Sequence, residues 1–485
     1  MDSQPLYRKL ADHYLGAIKA GSLAQGERMP SVRSMMRLHG VSLSTALQTC
    51  RQLESAGWIE ARPRSGYFVR GPERVALPPP DEPDLLQPPD PAQYVGVHAR
   101  VSEFIAQGRR HPVRVNLSGA RAAPELYPAE PLRAASVRAL RRHPEMLVRA
   151  TPAGGNALFR SVLAKRAIAA GMVLSPDEVT VTHGCIEALN LALRAVSQPG
   201  DTIAVESPTF YGLLQILESL GLRALEIPTS ASTGISLEAL ELAIQTYGNI
   251  KAAVVVPHFQ NPLACLMPDA HKQRLVQLCA RHAIALIEDD TYSELAEGDV
   301  PLTALKAWDH GGNVIHCASL HKTLAPGMRL GWMTAGRWQA KVAMLKYAQT
   351  RDNEEWSQIA AAEFMASSAY DRHLRRLRTA LRRQRARMAQ AIAAYFPLGT
   401  RLTMPDGGMT LWLELPHKLP AAQVFDAALA QGILVAPGLM FSNSNRFDHF
   451  LRINCGLPYS DDVDRAIRYL GRVVADLSIR AAKAA

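Results

Sequence analysis

The pattern of apolar and polar positions divides the chain into three stretches. In the first, apolar residues recur every three or four positions over residues 6–18, 32–39 and 43–55, the period of an amphipathic helix. Between residues 71 and 91 this period disappears and eight prolines take its place. Beyond residue 112, short apolar runs typical of buried strands alternate with helical patterns. The pattern therefore predicts two folded parts joined by a linker.

The first stretch has the element order of a winged helix-turn-helix. Ser31 and Ser42 stand before the second and third helical runs, where a side-chain oxygen can cap a helix. Two short runs at 57–62 and 66–69 then predict a two-stranded hairpin. Residues 1–70 carry ten Lys or Arg against five Asp or Glu, a net charge of +5 that suits the phosphates of DNA. We therefore expect a DNA-binding domain over residues 1–70.

DNA contacts are expected at the start of the third helical run and at the hairpin. The second helix of a helix-turn-helix motif enters the major groove with its N-terminus, where short polar side chains reach base edges and phosphates. The residues predicted to contact DNA are Arg33, Ser42, Ser44, Thr45, Arg62 and Arg64. The alternative is a structural helical module that binds no DNA.

The proline-rich stretch predicts a linker over residues 71–112. Proline lacks a backbone N–H and fixes φ, so that eight prolines exclude a regular helix or a central strand. We expect a semi-extended segment with little packing, followed by a short amphipathic helix over Tyr94–Arg110.

Residues 113–485 predict an α/β domain on a mainly parallel sheet, with a smaller α+β part from about residue 350. The strand candidates are 178–182, 202–206, 252–256, 284–288 and 314–317. Ligands of such folds bind beyond the carboxyl ends of the strands, and Lys322 stands there, between Ser319 and Arg329. A buried lysine loses its proton readily and then attacks carbonyls. Serine and arginine bind phosphate, so the trio suits an aldehyde that carries a phosphate.

Two parts of the sequence resemble known families. Residues 5–70 resemble the GntR family of DNA-binding domains, in the motifs Met29-Pro-Ser-x-Arg33, Val41-Ser-x-Ser-Thr45 and Ser65-Gly-Tyr-Phe-Val69. The string Ser319-Leu-His-Lys-Thr-Leu-Ala-Pro-Gly-Met-Arg-Leu-Gly331 resembles the aldimine-forming segment of fold-type I pyridoxal-phosphate enzymes, the aspartate aminotransferase superfamily. This resemblance implies pyridoxal 5'-phosphate as the cofactor, bound covalently to Lys322.

The same resemblance assigns roles to residues at the other strand ends. It implies Lys322, Asp289 and Tyr292 as catalytic residues, with Asp289 facing the pyridine nitrogen. Asn261 and Tyr292 would bind the phenolic oxygen, and Arg452 would hold the α-carboxylate of an amino acid. The implied cofactor-binding residues are Gly184, Cys185, Ile186, Phe210, Asn261, Asp289, Tyr292, Ser319, Lys322 and Arg329.

Three features depart from this superfamily. Cys185 and Ile186 replace the small polar pair usual in the phosphate-binding turn, and Phe210 replaces the tyrosine that stacks on the cofactor ring. Arg149 stands where relatives often carry a tyrosine that reaches across the dimer. The loss of the polar pair bears on phosphate binding, and the arginine at position 149 bears on catalysis.

Composition adds a few constraints. No run of about twenty apolar residues predicts a membrane span, and six scattered cysteines fit reduced thiols in a cytoplasmic protein. The net charge of +10 favours a polyanionic partner.

Fifteen histidines show no metal-ligand spacing, and we expect no metal site. Residues 372–387 carry eight arginines, which predict a long helix with a solvated basic face or, alternatively, a second DNA contact.

A GntR-like head, a proline-rich linker and an aminotransferase-like domain resemble the MocR (GabR-like) transcription regulators over essentially the whole chain. The resemblance implies a homodimer that depends on pyridoxal phosphate, binds operator DNA and senses a small amine or amino acid. It would act in the bacterial cytoplasm, associated with the nucleoid when bound to DNA. The alternative is an active aminotransferase with an accessory DNA-binding domain. A third hypothesis is a constitutive DNA-binding protein that has lost the cofactor.

Overall fold

The helical periods at the start of the chain fold into three helices, followed by an antiparallel hairpin. The computed structural model describes residues 5–19, 23, 27–56, 58–62, 65–69, 76–298 and 300–484. The chain divides into two units, Met1–Ala76 and Leu77–Ala485. The elements of the first unit are α1 (Leu6–Lys19), α2 (Val32–His39), α3 (Leu43–Ser55), β1 (Ile59–Arg62) and β2 (Gly66–Val69).

Serine caps and one glycine turn shape the first unit. Ser31 Oγ accepts a hydrogen bond from Ser34 N (3.1 Å), and Ser42 Oγ accepts one from Thr45 N (3.2 Å). Gly40 ends α2 with a φ of 61°, a left-handed conformation that favours glycine. The resulting helix–turn–helix leaves the first turn of α3 at the surface of this unit.

The second unit alternates strands and helices, as the pattern predicts. Up to residue 334 its elements are β3 (Gln93–Tyr94), α4 (His98–Arg110), β4 (Val115–Asn116), α5 (Ala129–Arg142), α6 (Ala157–Ala167), β5 (Val179–Thr182), α7 (Cys185–Val196), β6 (Thr202–Ser207), α8 (Tyr211–Ser219), β7 (Arg223–Ser230), β8 (Gly234–Ile235), α9 (Leu237–Thr246), β9 (Ile250–Val255), α10 (Asp269–Arg281), β10 (Ala285–Asp289), β11 (Val314–Ser319) and β12 (Gly331–Thr334). The remaining elements are α11 (Gln339–Gln349), α12 (Glu355–Met365), α13 (Ser368–Tyr395), β13 (Arg401–Leu402), β14 (Thr410–Glu414), α14 (Ala421–Leu429), β15 (Ile433–Leu434), β16 (Ala436–Pro437), β17 (Phe450–Asn454) and α15 (Asp461–Ala484).

One large sheet organises the second unit. Its strand order is β3-β7-β6-β9-β10-β11-β12-β5, with β8 paired to β7. Strands β7, β6, β9, β10 and β11 are parallel to one another, whereas β12 is antiparallel to both β11 and β5. Strands β6 and β11 are buried at every position, as helices on both faces of a parallel sheet require. All five predicted strands lie in this sheet, and the predicted α/β fold class is confirmed.

A smaller antiparallel sheet, in the order β13-β14-β17-β16, follows α13. Its apolar side chains pack with those of α14 and α15 into a second core that includes Leu413, Phe425 and Ile467. Arg452 lies on β17, so that this sheet supplies one of the predicted ligand-binding residues. Among the described residues, no helix combines the length and the apolarity that crossing a membrane requires.

The proline-rich stretch packs more closely than expected. Leu402 N donates a hydrogen bond to Pro78 O (2.9 Å), and Asp81 forms an ion pair with Arg401 at 2.5 Å, 320 residues away in sequence. The expectation of little packing is therefore wrong for residues 77–92. Prolines keep their carbonyl oxygens as hydrogen-bond acceptors. The acidic side chains between them form ion pairs with arginines far away in sequence, which the local pattern could not predict.

The helix after this stretch also begins later than expected. Tyr94 lies in β3, where it pairs with Arg223 of β7, and α4 begins at His98. The arginine side chain stacks over the Tyr94 ring, 4.8 Å from its centre. Pairing with the edge of the large sheet thus overrides the local helical pattern at Tyr94.

Candidate functional site

The residues predicted to bind the cofactor line one cavity at the carboxyl edge of the large sheet. The cavity encloses about 140 Å³. Its lining includes all ten of them, namely Gly184, Cys185, Ile186, Phe210, Asn261, Asp289, Tyr292, Ser319, Lys322 and Arg329. They meet because the parallel strands that precede them end at the same edge. Their roles toward a cofactor stay predictions.

Lys322 follows β11 and places its amine inside this cavity. The Nζ atom donates a hydrogen bond to Ala120 O and lies 5.6 Å from the centre of the Tyr292 ring. Burial, together with the positive charge of Arg452, lowers the pKa of Lys322 to about 7. Near neutral pH, a large fraction of the Lys322 side chains is therefore a neutral, nucleophilic amine.

Asp289 ends β10 and points a buried carboxylate into the cavity. Its Oδ1 atom accepts hydrogen bonds from Thr291 Oγ1 (2.5 Å) and Cys185 Sγ (3.2 Å). Burial raises the pKa of Asp289, and these two hydrogen bonds oppose the rise. A cationic partner would offset the cost of burying this charge, which fits a protonated pyridine nitrogen. No pattern in the sequence signals the contact between Cys185 and Asp289.

A hydrogen-bonded chain joins the small sheet to the cavity. Arg452 Nη1 donates to Asn261 Oδ1 (2.7 Å), and Asn261 Nδ2 donates to Tyr292 OH (3.4 Å). Arg452 Nη2 donates to Ser118 O, a contact that spans 334 residues of sequence. Arg452 is 1% exposed, and within the described part of the chain its Nε has no hydrogen-bond partner. A buried guanidinium with a spare N–H suits a ligand carboxylate.

The turn before α7 is a candidate anion site. Gly184 precedes the helix with a φ of 81°, and the first-turn N–H groups of α7 lack acceptors within the helix. Arg329 Nη2 donates to His183 O (3.3 Å), and a Cβ on Gly184 would lie 3.3 Å from that nitrogen. A glycine is therefore needed where the guanidinium closes over the turn. These donors fit a phosphate group without help from the Cys185 side chain.

Phe210 covers another wall of the cavity. Its ring packs over Gly212, where an added Cβ would lie 2.5 Å from the ring. The neighbouring Tyr211 ring is centred 5.0 Å away. The cavity thus offers a flat apolar surface, a neutral amine, a buried carboxylate and an anion site. Together, these four features fit a phosphorylated pyridine aldehyde, the kind of ligand that the sequence predicts.

Arg149 forms a tight ion pair inside the chain. Arg149 Nε and Nη2 both donate hydrogen bonds to the Glu355 carboxylate, and Nη2 lies 2.9 Å from each of its oxygens. Glu355 also accepts a hydrogen bond from Asn156 Nδ2 (2.7 Å). At the position where the superfamily often has a tyrosine, this chain uses the side chain to tie the segment before α6 to α12.

The residues predicted to contact DNA are only partly described. Arg33, Ser42 and Ser44 are exposed, and Thr45 is half-buried. Ser42 Oγ lies 2.9 Å from both Ser44 Oγ and Thr45 Oγ1, so that three hydroxyls gather at the start of α3. The fifth residue predicted, Arg62, lies on β1 with a side chain that is not described, and Arg64 lies outside the described residues.

The fold and the cavity define an aminotransferase-type domain that follows a winged helix-turn-helix. Residues 6–69 match the family model "Bacterial regulatory proteins, gntR family", and residues 127–470 match "Aminotransferase class I and II". The chain is 38% identical to the uncharacterised HTH-type transcriptional regulator YdcR of Escherichia coli K12, over 97% of this chain and 99% of that protein. It therefore belongs to the aminotransferase class I and II family, among HTH-type transcriptional regulators with a gntR domain. The predicted MocR-like layout is confirmed.

Solved structures support the same assignment. Kynurenine aminotransferase of Pyrococcus horikoshii, in complex with PMP, is 26% identical with a TM-score of 0.72, over 78% of this chain and 94% of that chain. LysN, the α-aminoadipate aminotransferase of Thermus thermophilus, is complexed with N-(5'-phosphopyridoxyl)-L-leucine. It is 27% identical with a TM-score of 0.71, over 78% of this chain and 95% of that chain.

Proposed function

We propose that this chain is a transcription regulator that binds operator DNA through its gntR domain and senses a small amine or amino acid in the cavity around Lys322. The observation that carries the proposal is a single cavity lined by all ten residues expected to bind an amine-reactive cofactor, in a chain that also carries a gntR domain. The predicted cofactor, pyridoxal 5'-phosphate, is confirmed by the two solved relatives, which are bound to PMP and to a phosphopyridoxyl amino acid.

Each side chain of the site has a task in holding this cofactor and its ligand. When bound, pyridoxal 5'-phosphate supplies an aldehyde that condenses with primary amines, and a ring that withdraws electrons from them. Lys322 supplies the neutral amine, and Asp289 would keep a proton on the pyridine nitrogen. Arg329 and the turn at Gly184 would bind the phosphate. Arg452 would bind a carboxylate of the effector, which favours α-amino acids over simple amines.

We further propose a homodimer, which would pair two DNA-binding units on two half-sites. Leu147 and Val148 are 66% and 90% exposed, directly before Arg149. Large apolar side chains exposed side by side commonly mark a protein interface, and a second copy of this chain would cover them. Action in the cytoplasm, on nucleoid DNA, is part of the same proposal.

A spectral screen tests the sensor function. Amines and amino acids are added to the cofactor-loaded protein, with and without DNA from the region upstream of its gene. A ligand that changes the cofactor absorbance and also changes DNA binding supports the proposal. Ligands that change the absorbance but never the DNA binding contradict it.

An active aminotransferase is the second candidate, because Lys322, Asp289 and Tyr292 are all present and the solved relatives are aminotransferases. Steady-state assays with pairs of amino acids and keto acids separate the two functions. Many turnovers at a useful rate favour the enzyme, and binding without turnover favours the sensor. A protein that takes up no cofactor would instead support the constitutive DNA-binding protein.

A further inference from the structure

A group of buried ionisable side chains adjoins residues that line the cofactor cavity but is not among them. Asp290 follows Asp289 at the end of β10, and its carboxylate contacts one imidazole on each side. His258 Nδ1 lies 2.6 Å from Asp290 Oδ1, and His316 Nε2 lies 3.2 Å from Asp290 Oδ2. All three side chains are buried, with His258 wholly inaccessible. Burying ionisable groups costs free energy unless they are paired, so the contacts within this group must offset that cost.

The three residues come from three adjacent strands. His258 follows β9, Asp290 follows β10 and His316 lies within β11, and these strands are neighbours in the sheet. Asp290 N also donates a hydrogen bond to Cys317 O (2.8 Å), which adds a backbone tie between β10 and β11. The carboxylate therefore links three adjacent strands close to the end of β10.

Each of these strands leads into a loop that carries a cavity residue. Asn261 follows His258 by three residues, Tyr292 follows Asp290 by two, and Lys322 follows His316 by six. We propose that His258, Asp290 and His316 form a buried clamp that positions these three loops, and with them Asn261, Asp289, Tyr292 and Lys322, for the cofactor. The proposal rests on the cofactor site described above and deepens it.

The carboxylate of Asp290 sets the hydrogen-bond roles within the clamp. Lys272 of α10 places Nζ 2.9 Å from His258 Nε2, and it also donates to Thr303 O (2.9 Å). His258 Nε2 also lies 3.2 Å from Thr303 O. Because the carboxylate of Asp290 can only accept, a ring proton of His258 sits on Nδ1, facing Asp290. Ser293 Oγ donates to Asp290 Oδ2 (3.0 Å). The carboxylate of Asp290 thus accepts from His258, His316 and Ser293.

The same atoms argue against a cation at this place. His258, Glu288 and Asp290 bring ligand atoms within 4.8 Å of one another. Glu288 already accepts hydrogen bonds from Leu305 N (2.7 Å) and Lys306 N (3.0 Å). With the ammonium of Lys272 also against His258, the group is better suited to a hydrogen-bonded clamp than to a metal site.

The clamp also controls the charge beside Asp289. The titratable groups that face it are Glu288 and Asp289 on β10, Lys272 on α10, and Lys306 before β11. Burial alone would raise the pKa of Asp290, but the charge and hydrogen bond of His258 hold it below its ordinary value. Burial would lower the pKa of His316, but the hydrogen bond to Asp290 and the charge of Glu288 raise it. The imidazoles thereby offset a second negative charge next to Asp289.

The test uses full-length protein and a matched pair of substitutions at His316. In His316→Gln the amide nitrogen takes the place of Nε2 and can still donate to Asp290, whereas His316→Leu has no donor. We expect His316→Leu to weaken pyridoxal 5'-phosphate binding about tenfold, the change expected when one buried hydrogen bond is lost. The pH midpoint of the bound cofactor's absorbance should also rise by about half a unit or more, because uncompensated negative charge favours protonated groups nearby. His316→Gln should stay close to wild type in both.

Ser293→Ala is the control, because it removes a contact to the same carboxylate from within one loop. It should move the pH midpoint less than His316→Leu does, because serine carries no charge. The clamp is wrong if folded His316→Leu keeps the wild-type cofactor affinity and pH midpoint. It is also wrong if His316→Gln and His316→Leu lose affinity equally, because that result would indicate a role in packing alone. Should His316→Leu not fold, Asp290→Asn replaces it: the affinity should again fall, whereas the midpoint should fall because the negative charge is lost. Wild-type values there would equally overturn the clamp. Wild-type protein that takes up no cofactor would instead contradict the proposed function.

Discussion

At the scale of single residues, Lys322 is the group on which the chemistry depends. We predict that reduction of the cofactor-loaded protein with borohydride leaves a stable adduct on Lys322, and that Lys322→Ala abolishes it. The reason is that its amine is nucleophilic near neutral pH, with a pKa of about 7. Peptide mass spectrometry locates the adduct, and Lys341→Ala, an exposed lysine of α11, is the control. An adduct on any other lysine would disprove the site.

The lowered pKa of Lys322 also predicts a pH dependence. Only the neutral amine reacts, and its fraction rises as pH rises through about 7. The rate at which cofactor-free protein takes up pyridoxal 5'-phosphate should therefore increase between about pH 6 and pH 8 and then level off. A lysine with its ordinary pKa would give a rate that keeps rising to about pH 10. Stopped-flow absorbance over this range distinguishes the two.

The residues that line the cavity could be predicted where the chemistry of the cofactor calls for a particular residue type directly after a strand. Lys322, Asp289 and Asn261 each follow a recognisable strand, and a parallel sheet brings strand ends together. The contact of Arg452 with Ser118 was not predictable, since it joins two chain segments 334 residues apart that carry no shared pattern. Cys185 and Ile186 were expected to leave the phosphate-binding turn without the usual side-chain donors, and the thiol of Cys185 donates to Asp289 instead, a contact that the sequence does not signal.

At the scale of elements, the start of α3 and the exposed Arg33 of α2 are the surface expected to meet DNA. We predict that Arg33→Ala weakens operator binding and lowers the slope of log affinity against log salt by about one unit, since one phosphate contact is lost. Arg51→Ala, at the other end of α3, is the control. Electrophoretic mobility shifts at several salt concentrations measure both variants. An unchanged affinity for Arg33→Ala at every salt concentration would show that this surface does not bind DNA.

The ion pair between Arg149 and Glu355 predicts a stability effect. Arg149→Met leaves the buried Glu355 carboxylate with less compensation, and we expect the free energy of unfolding to fall by about 1–2 kcal/mol. The fall stays below the cost of breaking a fully buried pair because the Arg149 side chain is 50% exposed and Asn156 still donates. Arg133→Met, which breaks an exposed pair with Glu130, should change almost nothing. Urea-induced unfolding compares them, and equal effects would contradict this account.

Among the elements, helices with caps and strands with buried apolar runs were the easiest to predict. Helices α2 and α3 agree with their predicted bounds because Ser31 and Ser42 mark their starts. Strand β12 was not predicted, since its four residues carry no isolated pattern and it is formed by pairing with β5 and β11. The docking of residues 77–92 likewise depends on partners elsewhere in the chain.

At the scale of the whole molecule, the question is how a ligand in the cavity could change DNA binding. The chain carries both functions in two units, Met1–Ala76 and Leu77–Ala485. Residues 77–92 are tied to the aminotransferase-type unit by contacts such as those of Pro78 and Asp81. Most of the proline-rich stretch, from residue 77 on, therefore belongs to the aminotransferase-type unit.

Coupling of this kind must be reciprocal. If the amine or amino acid selected by the spectral screen alters operator affinity, operator DNA must alter the affinity of that ligand by the same factor. We predict a factor of about five to 150, which corresponds to about 1–3 kcal/mol. Absorbance titrations of the ligand with and without operator DNA measure one side, and DNA titrations with and without the ligand measure the other. Unequal factors would mean that a further binding event has been overlooked.

Arg452 connects this coupling to the structure. Its guanidinium joins β17 of the smaller sheet to Asn261 of the cavity and to Ser118, so a ligand carboxylate bound there would contact both parts of the second unit. In Arg452→Lys the planar fork is lost, and we expect ligand affinity to fall about tenfold and the coupling factor to shrink toward one. Arg446→Lys, whose ion pair with Asp90 is exposed, should keep both. If wild-type protein binds the ligand equally well with and without DNA, and transcription does not respond to it, the aminotransferase function should replace the sensor.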